Sequence, residues 1–444
     1  MLLTCNGASA GPLVAVAVLA LASPGATAAP GQKQAWVAAW AASPEPADPD
    51  PDEPLLKLED QTVRERVRLS SGGEMVRVRL SNDYGSTPLL IGSATVATPT
   101  DAADVGSIRS LRFGGRQTVT LPTGASILSD PVKLSVAAGG EISISLYFPR
   151  RVATPTLHAV ALKNAVVTPH GDFTHAARLK TLSLSESSIL ISQVLILARP
   201  GQRLVAAFGD SITEGVGSTS GADRGWPSDL VRRLIGQGGE PNLAVVNEGV
   251  AGNRLLADGP VGSLGISGLA RLDRDGLSLP GLTHVILFEG VNDIGFPGAN
   301  LHGLALADAA SAPSAQDLIA GYRRFIAAAH AHGIKVIGAT LTPCEGVAMP
   351  GYYSETKNAE REAVNRWIRG GGAFDGVIDF DAVLRDPSHP SRLQARYASS
   401  DHLHPNDAGH QAMADAVDLA LFREFPKARG FETKNPPPSS GGDG

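Results

Sequence analysis

The stretch "LVAAFGDSITEGVG", residues 204–217, joins a run of apolar residues to a glycine, an aspartate and a serine. A short apolar run of this kind is typical of a buried strand, and Gly209 relieves crowding where the chain turns. Asp210 can hydrogen-bond to the neighbouring backbone, and Ser211 lies where a helix should begin. The stretch predicts a strand that ends in an exposed serine beside helix N–H groups, which stabilise negative charge.

Further apolar strands follow, and helical periodicity fills the gaps between them. Strands are expected at residues 204–208, 243–247, 283–289, 335–341 and 376–380. The clearest helical patterns are "SAQDLIAGYRRFIAAAHAHG", "SETKNAEREAVNRWIRGG" and "AGHQAMADAVDLALFREF". Buried strands that alternate with helices predict an α/β domain over residues 203–425, with a parallel sheet and helices on both faces. Such a sheet places its reactive residues on loops at the carboxyl ends of the strands.

The chain before residue 200 has a period of two instead. "TVRERVRL" and "MVRVRL" alternate apolar residues with arginines, and "ISISLYF" continues the pattern. Residues 70–73 and 139–140 each predict a hairpin between neighbouring strands. Short strands without helical stretches predict an all-β domain over residues 36–198, an antiparallel sandwich or jelly roll. Two domains also suit the chain length of 444 residues.

The two ends of the chain have a different character. The apolar run "GPLVAVAVLALASPGATAA" is too short to span a bilayer comfortably and ends in small residues, which predicts a secretory signal peptide over residues 1–29. The segment before it, "MLLTCNGASA", has no Lys or Arg, which is atypical for such a signal. Residues 427–444 have no periodicity and are expected to be a disordered tail. We therefore expect a secreted or periplasmic protein with no stable membrane anchor.

Charge and cysteine content argue against a nucleic-acid partner and against an intrachain disulfide. The net charge is −6, and the Lys and Arg residues are scattered along the sequence, which argues against a nucleic-acid partner. Cys5 would leave with the signal peptide, so Cys344 has no intrachain partner for a disulfide. We expect Cys344 to be a small buried hydrophobic residue and not a nucleophile.

The second and third strands of the α/β region also end in loops that carry glycine. In "NEGVAGNRLL", Gly249 and Gly252 let the backbone bend and leave an N–H free to donate into a shared cavity. In "EGVNDIG", Gly290 allows close approach, and Asn292 can point its amide donor toward the same cavity. Each loop is an ordinary turn when taken alone. For the glycines after the first strand, in residues 208–221, a phosphate loop is a weak alternative, because that segment lacks G-x-x-x-x-G-K-[ST] and has no lysine nearby.

The stretch "ASSDHLHPNDAGH", residues 398–410, follows the fifth strand and leads into the last helix. Asp401 and His404 are three positions apart, close enough for the carboxylate to orient the imidazole. A serine hydroxyl is weakly nucleophilic at neutral pH, so it needs a base, and the base needs an orienting group. Ser211, His404 and Asp401 can supply these three parts.

Two other interpretations of the same stretch stay open. His402 and His404 form an H-x-H pattern that can turn both rings toward a metal ion. A third ligand is harder to find, because His410 lies in the helix and the loops from the other strands offer no Cys or His. The stretch can also be a purely structural polar loop.

Taken together, the four segments "GDSIT", "NEGVAGN", "EGVND" and "DHLHP" resemble the GDSL or SGNH hydrolase family over roughly residues 203–425. The resemblance implies a flavodoxin-like sheet and an esterase that requires no metal or organic cofactor. It implies Ser211 as the nucleophile and His404 as the base, oriented by Asp401. The backbone N–H groups of Gly252 and Ser211 and the side-chain amide of Asn292 would form the oxyanion hole.

The expected substrate is a carboxyl ester. Removal of acetyl groups from an extracellular polysaccharide is the first hypothesis, and lipid or short-chain ester hydrolysis is the alternative. A non-catalytic glycan-binding protein built on an inactivated hydrolase is the alternative from another class. Glu248 and Glu289 lie near the predicted cavity, and we expect both to face solvent. The sequence leaves the acyl chain, the alcohol and the oligomeric state open.

Overall fold

The computed structural model of the chain describes residues 35–47, 58–101, 104–236, 240 and 242–423. The predictions for residues 1–29 and 427–444 lie outside the described residues. Within these described ranges, every helix is too short or too polar to cross a bilayer.

Short β-strands fill the described chain before residue 198. They are β1 (Trp36–Ala41), β2 (Glu45–Pro46), β3 (Gln61–Arg68), β4 (Gly73–Asn82), β5 (Leu89–Ile91), β6 (Ser93–Pro99), β7 (Val105–Ser110), β8 (Val119–Leu121), β9 (Ala125–Leu128), β10 (Val132–Val136), β11 (Glu141–Phe148), β12 (Thr156–His158), β13 (Ala165–His170), β14 (Ser183–Ser185), β15 (Ser188–Ile189) and β16 (Ile191–Leu197). The predicted antiparallel β-strands of this region are confirmed.

Two large antiparallel sheets dominate this N-terminal β region. One has the order β1-β16-β4-β10, with β9 also paired to β4, and the other has the order β14-β13-β3-β11-β6-β7. The apolar residues that alternate along the central strands are buried, among them Val76 and Val78 in one sheet and Ile142 and Leu146 in the other. These side chains belong to one apolar cluster, which is what the period of two in the sequence requires.

Both predicted hairpins are wrong. Strand β3 pairs with β11 and β13, whereas β4 pairs with β16, β10 and β9, so residues 70–73 cross from one sheet to the other. Residues 139–140 likewise connect β10 to β11 across the two sheets. The two crossings bind each other, because Leu69 N–H donates to Gly140 O (2.9 Å) and Gly139 N–H donates to Leu69 O (2.8 Å). The glycines therefore lie where the chain turns from one sheet to the other.

Strands and helices alternate after residue 203. The strands are β17 (Arg203–Gly209), β18 (Leu243–Gly249), β19 (Leu282–Phe288), β20 (Asn300–Leu301), β21 (Leu304–Ala305), β22 (Lys335–Ala339) and β23 (Gly376–Ile378). The α-helices are α1 (Ser211–Glu214), α2 (Trp226–Ile235), α3 (Gly268–Leu272), α4 (Val291–Gly295), α5 (Ala315–Ala331), α6 (Glu355–Gly370), α7 (Phe380–Leu384) and α8 (Asp407–Ala416). A π-helical turn spans Asp273–Leu277, and 3₁₀ turns span Gly262–Leu264, Ala309–Ser311 and Leu419–Phe422.

The main sheet of this region has the order β18-β17-β19-β22-β23, and its pairs are all parallel. This order is the flavodoxin-like one, so the predicted fold class is confirmed. Helices α2, α7 and α8 contact one another, and α3, α5 and α6 form a second group. The strands pack aromatic residues toward both groups, since Phe288 contacts Phe380 of α7 and Phe208 contacts Phe325 of α5.

The N-terminal β region lies against the edge of the parallel sheet. Val245 N–H in β18 donates to Ser70 Oγ (3.2 Å), and Ala38 N–H in β1 donates to Pro280 O (3.0 Å). The apolar residues of both regions form one continuous cluster. The proposed division into domains at residues 36–198 and 203–425 stays a prediction.

Candidate active site

Ser211 is the first residue of α1, directly after β17. Asp210 caps this short helix, because its Oδ1 accepts a hydrogen bond from Ile212 N–H (2.9 Å). A Cβ added to Gly209 would lie 2.6 Å from Phe288 O, so only glycine allows the turn so close to β19. The sequence therefore ends the strand and starts the helix within two residues, and Ser211 is placed at the carboxyl end of the sheet.

The structure brings Ser211, His404 and Asp401 together. Ser211 Oγ lies 2.8 Å from His404 Nε2, and His404 Nδ1 lies 2.6 Å from Asp401 Oδ2. A carboxylate at Nδ1 fixes the proton there and leaves Nε2 to accept the serine proton. This geometry is what base-assisted attack by the hydroxyl requires.

The carboxylate of Asp401 is held in place by several donors. Its Oδ1 accepts hydrogen bonds from Ser399 Oγ (2.7 Å), Leu403 N–H (2.8 Å) and His404 N–H (2.9 Å). Partial burial opposes ionisation, but the His404 ring and these backbone donors outweigh it and hold the pKa of Asp401 below its ordinary value. Asp401 therefore remains an anion facing the imidazole.

The candidate oxyanion donors follow strands next to β17. Gly252 has φ +72°, a conformation that favours glycine, and it lies three residues after β18. Asn292 lies in α4, after β19. In the sheet register Gly209 pairs with both Gly249 and Phe288, so the three loops emerge side by side.

The side-chain amide of Asn292 has a fixed orientation. Its Nδ2 donates to Asn253 O (3.0 Å), and its Oδ1 accepts from Tyr352 Oη (2.8 Å). An amide nitrogen carries two hydrogens, so a second N–H remains for a ligand. Burial raises the pKa of Tyr352 well above its ordinary value, so its hydroxyl stays a donor. Tyr352 was absent from the sequence-based site because it lies about 60 residues from Asn292, with no motif to connect them.

The other polar residues of the 398–410 stretch connect the His404 loop to the Ser211 loop. Asp407 accepts from Thr219 N–H (2.7 Å) and Thr219 Oγ1 (2.8 Å). His410 Nδ1 accepts from Trp226 N–H (3.3 Å), and its Nε2 donates to Val216 O (3.1 Å). Burial lowers the pKa of His410 to about 4, so this ring is neutral. Both side chains hold backbone in place.

The ring of His404 has its two nitrogens engaged by Ser211 and Asp401, and His402 is exposed with φ +59°. Over the described ranges, no group of three or more His, Cys, Asp or Glu side chains has an arrangement that could hold a metal ion.

Arg271 lies beneath these loops and was not identified from the sequence. Its guanidinium is 1% exposed and donates to Gly209 O (2.9 Å), Glu248 O (2.8 Å), Asn253 Oδ1 (2.8 Å) and Glu289 Oε1 (3.1 Å). One side chain thus joins the carboxyl ends of β17 and β18 to the loops that carry Asn253 and Asn292. A lone arginine in an amphipathic stretch gives no signal for such a role.

The expectation that Glu248 and Glu289 face solvent is wrong. Glu248 is 2% exposed and accepts from Ser43 Oγ (2.6 Å), while Glu289 is 1% exposed and accepts from Arg271. Burial raises the pKa of Glu248 to about 8 and that of Glu289 well above its ordinary value. The buried Arg271 guanidinium and the Ser43 hydroxyl offset only part of the cost of desolvation.

A cavity of about 630 Å³ lies between the N-terminal β region and α2. Trp40, His158, Glu214 and Arg224 are among its lining residues, but Ser211 and His404 are not. Its size is typical of a ligand pocket, yet neither the Ser211 hydroxyl nor the His404 ring lines it. We place the candidate active site at Ser211.

Comparison with known proteins shows a similarity to one hydrolase family. A model of the GDSL-like lipase/acylhydrolase family matches residues 207–412. None of the curated proteins matches the chain.

Three similar solved structures cover about half of the chain. A carbohydrate acetylesterase family member from Sinorhizobium meliloti is 18% identical, with a TM-score of 0.38, over 50% of this chain and 97% of that one. The M. smegmatis aryl esterase is 18% identical, with a TM-score of 0.36, over 48% and 95%. A GDSL-like lipase from Bacteroides thetaiotaomicron is 16% identical, with a TM-score of 0.35, over 50% and 88%.

Proposed function

We propose that the chain hydrolyses carboxyl esters by serine acyl transfer, because residues 207–412 match the model of the GDSL-like lipase/acylhydrolase family. The observation that carries the proposal is the hydrogen-bonded chain from Ser211 Oγ through the ring of His404 to Asp401. Ser211 attacks the ester carbonyl while His404 takes its proton. His404 then protonates the departing alcohol, and water repeats the cycle on the acyl-enzyme.

The oxyanion of the tetrahedral intermediate would be held by three donors. These are the N–H groups of Ser211 and Gly252 and the second N–H of the Asn292 amide. Neither backbone N–H has an acceptor elsewhere in the described part of the chain. Donors that are fixed before the reaction stabilise developing charge without reorganisation.

The proposal predicts ester hydrolysis that depends on Ser211. Purified protein and its Ser211→Ala variant would be incubated with p-nitrophenyl acetate, and the release of p-nitrophenol followed. We expect an initial burst and steady turnover for the unmodified protein and only background for the variant. Equal rates for the two would favour a non-catalytic glycan-binding protein.

For the substrate we propose an acetylated polysaccharide. The space beside the oxyanion glycine is restricted, since a Cβ on Gly252 would lie 2.5 Å from Leu264 Cδ2 and 3.4 Å from Phe296 Cζ. Leu264 and Phe296 thus place apolar side chains beside the candidate oxyanion donor. The β region ahead of the hydrolase domain suits a polymeric substrate, as the sequence already suggested.

The acyl and alcohol groups can be tested separately. Acetate release from acetylated xylan or pectin would be compared with turnover of p-nitrophenyl esters from two to twelve carbons. We expect acetate release from the polymer and a steep fall in kcat/KM as the acyl chain lengthens. A preference for long chains would instead support the lipase alternative.

We also propose export of the chain with removal of residues 1–29. Expression of the full chain in a bacterium and mass determination of the mature protein would test this. Recovery of the uncleaved chain from the cytoplasmic fraction alone would contradict it.

A further inference from the structure

The ring of His158 lies between two hydrogen-bond acceptors, in the small sheet formed by β15, β12 and β2. Its Nδ1 is 3.0 Å from Ser43 O, and its Nε2 is 2.7 Å from Glu214 Oε1 in a buried ion pair. A carbonyl oxygen can only accept, so Nδ1 carries a hydrogen, and the carboxyl group 2.7 Å from Nε2 favours a second hydrogen there. The geometry therefore favours an imidazolium paired with Glu214.

The groups around His158 keep it charged. Burial disfavours the imidazolium, but Glu214 outweighs this effect and, with smaller contributions from Glu45 and Ser43 O, raises the pKa of His158 to about 9. Glu45 Oε2 is 3.5 Å from Nδ1, and the buried carboxyl groups of Glu65 and Glu248 also interact electrostatically with the ring. The ring thus remains cationic at neutral pH.

Glu214 is the last residue of α1, the one-turn helix that begins at Ser211. Its N–H donates to Asp210 O (2.9 Å), and its carbonyl accepts from Asn247 Nδ2 (3.2 Å). A Cβ on Gly249 would lie 2.4 Å from Glu214 N, so β18 packs directly against this turn. The residues that follow Glu214 are hydrogen-bonded to Ser211, since Gly215 N–H and Val216 N–H donate to Ser211 O (3.0 and 2.9 Å), so we expect a displaced Glu214 to reorient Ser211.

We propose that His158 is a positioning residue that acts through Glu214 to orient Ser211 toward His404. The N-terminal β region would then supply a part of the active site, and its function would not be limited to covering the sheet edge. The inference rests on the proposed role of Ser211 as the nucleophile. Small misplacements of a reacting group can cost about 10² in rate, so the effect should be visible in kcat.

The test compares kcat and KM of the full chain on p-nitrophenyl acetate. His158→Ala should lower kcat about 10- to 100-fold and leave KM within about twofold. The matched control is His170→Gln, since His170 lies in the same region and faces Asp60 at 3.7 Å, but its side chain is 76% exposed. This control should keep the unmodified kcat. A folded His158→Ala variant with kcat within about twofold of the unmodified protein would overturn the inference.

Chemical rescue separates positioning from general stability. The cavity of about 630 Å³ is lined by both His158 and Glu214, so added imidazole can reach the space left in His158→Ala. Imidazole should restore part of the lost kcat in this variant and have no effect on His170→Gln. A folded variant whose lost kcat imidazole does not restore would count against the ion pair as the cause.

His158→Gln decides the matter if the alanine variant does not fold. Its amide keeps a donor for Glu214 but carries no charge, so kcat should fall about three- to tenfold. In the unmodified protein, kcat should decline as pH rises past about 9, where His158 loses its proton, and this decline should be absent in His158→Gln. An unchanged kcat and pH profile would overturn the inference.

The Ser211→Ala variant separates this inference from the proposed function. Equal rates for the unmodified protein and Ser211→Ala would refute the proposed function itself. Serine-dependent hydrolysis with unaltered His158 variants would refute only the positioning role.

Discussion

The N-terminal β region and the parallel-sheet region both bury polar side chains, but the two regions differ in what those side chains bind. In the β region, Arg64 donates to Ser145 Oγ (2.7 Å) and Ala176 O (2.7 Å), and Glu65 accepts from Ser188 Oγ and Ile189 N–H (both 2.7 Å). These bonds stay within the region and satisfy groups that would otherwise be buried without partners.

At the carboxyl ends of β17, β18 and β19, donors are instead left over. Ser211 and Gly252 present backbone N–H groups, and Asn292 presents its second amide hydrogen. A folded protein leaves buried donors without partners at a cost, and it does so chiefly where a ligand binds. Single buried donors without partners also occur elsewhere, at Ser143 Oγ, Trp226 Nε1 and Thr342 Oγ1. The candidate active site differs because its surplus donors follow adjacent strands, beside the Ser211–His404–Asp401 chain.

The largest effect expected from this contrast is on the orienting carboxylate. Asp401→Asn should lower kcat by about 10⁴, because an amide cannot hold the His404 ring in the same tautomer. Thermal unfolding should change little, since the side chain keeps its size and is partly exposed. Steady-state hydrolysis of p-nitrophenyl acetate together with a melting curve would check this. A kcat reduced by less than about tenfold would remove Asp401 from the mechanism.

Loss of one surplus donor should have the next largest effect. Asn292→Ala should lower kcat about 10²–10³-fold with the fold intact. Single-turnover acylation rates would show whether the loss is in the chemical step. Near-normal turnover on the best substrate would mean that Asn292 does not contact the oxyanion.

Buried ionisable groups that bridge the two regions predict an alkaline loss of stability. The pKa values of His158, Glu45 and Glu248 are raised to about 9, 8 and 8, so the folded chain holds protons that the unfolded chain has released. The free energy of unfolding should therefore fall by several kcal/mol as pH rises from 6.5 to 9, since each such group contributes up to about 1.4 kcal/mol per pH unit below its folded pKa. Urea unfolding at both pH values would measure this change. A higher free energy of unfolding at pH 9 than at pH 6.5 would contradict the raised pKa values of these buried groups.

A cavity in the core of the β region should affect stability alone. Val78 in β4 is fully buried, and Val78→Ala should lower the free energy of unfolding by about 2 kcal/mol. The kcat of the folded variant should match the unmodified protein. A fall in the kcat of Val78→Ala, measured at temperatures below its unfolding transition, would show that the two regions are coupled more widely than through His158.

The smallest effect is expected from the residue that orients Asn292. Tyr352→Phe removes the hydroxyl that donates to Asn292 Oδ1 and should lower kcat about tenfold, with KM within about twofold. Tyr353→Phe next to it in the chain serves as the control. Equal effects of the two substitutions would show that the hydroxyl of Tyr352 has no special part.

The sequence predicted the strands of both regions, because period two and short apolar runs are local signals. It did not predict which sheet each strand joins, so the turns at residues 70–73 and 139–140 were misassigned as hairpins. A Gly-rich corner between sheets and a hairpin loop use the same residue types. Pairing partners depend on packing across the core, which a local pattern does not carry.

The candidate site shows the same limit. The sequence identified four of the site residues, because each lies in a short segment after a strand: Ser211, Asn292, Asp401 and His404. The structure places His404 within hydrogen-bonding distance of both Ser211 and Asp401. Their catalytic roles remain predictions. The supporting residues lay outside every motif.

Two supporting residues illustrate the reason. Arg271 and His158 act through contacts with backbone carbonyls or with carboxylates far away in the chain. Nothing in the local composition marks such contacts, because an arginine or histidine in an ordinary amphipathic stretch reads as a surface residue. Only the assembled fold shows that both are buried and bound.

The central claim is that His404 activates Ser211 as a nucleophile. The most direct measurement is covalent labelling of the folded protein with a fluorophosphonate, with the modified residue and the labelling rate read by mass spectrometry. The account predicts one label on Ser211, formed at least about 10² times more slowly in His404→Gln. A label on another residue, or an unchanged rate in His404→Gln, would contradict it.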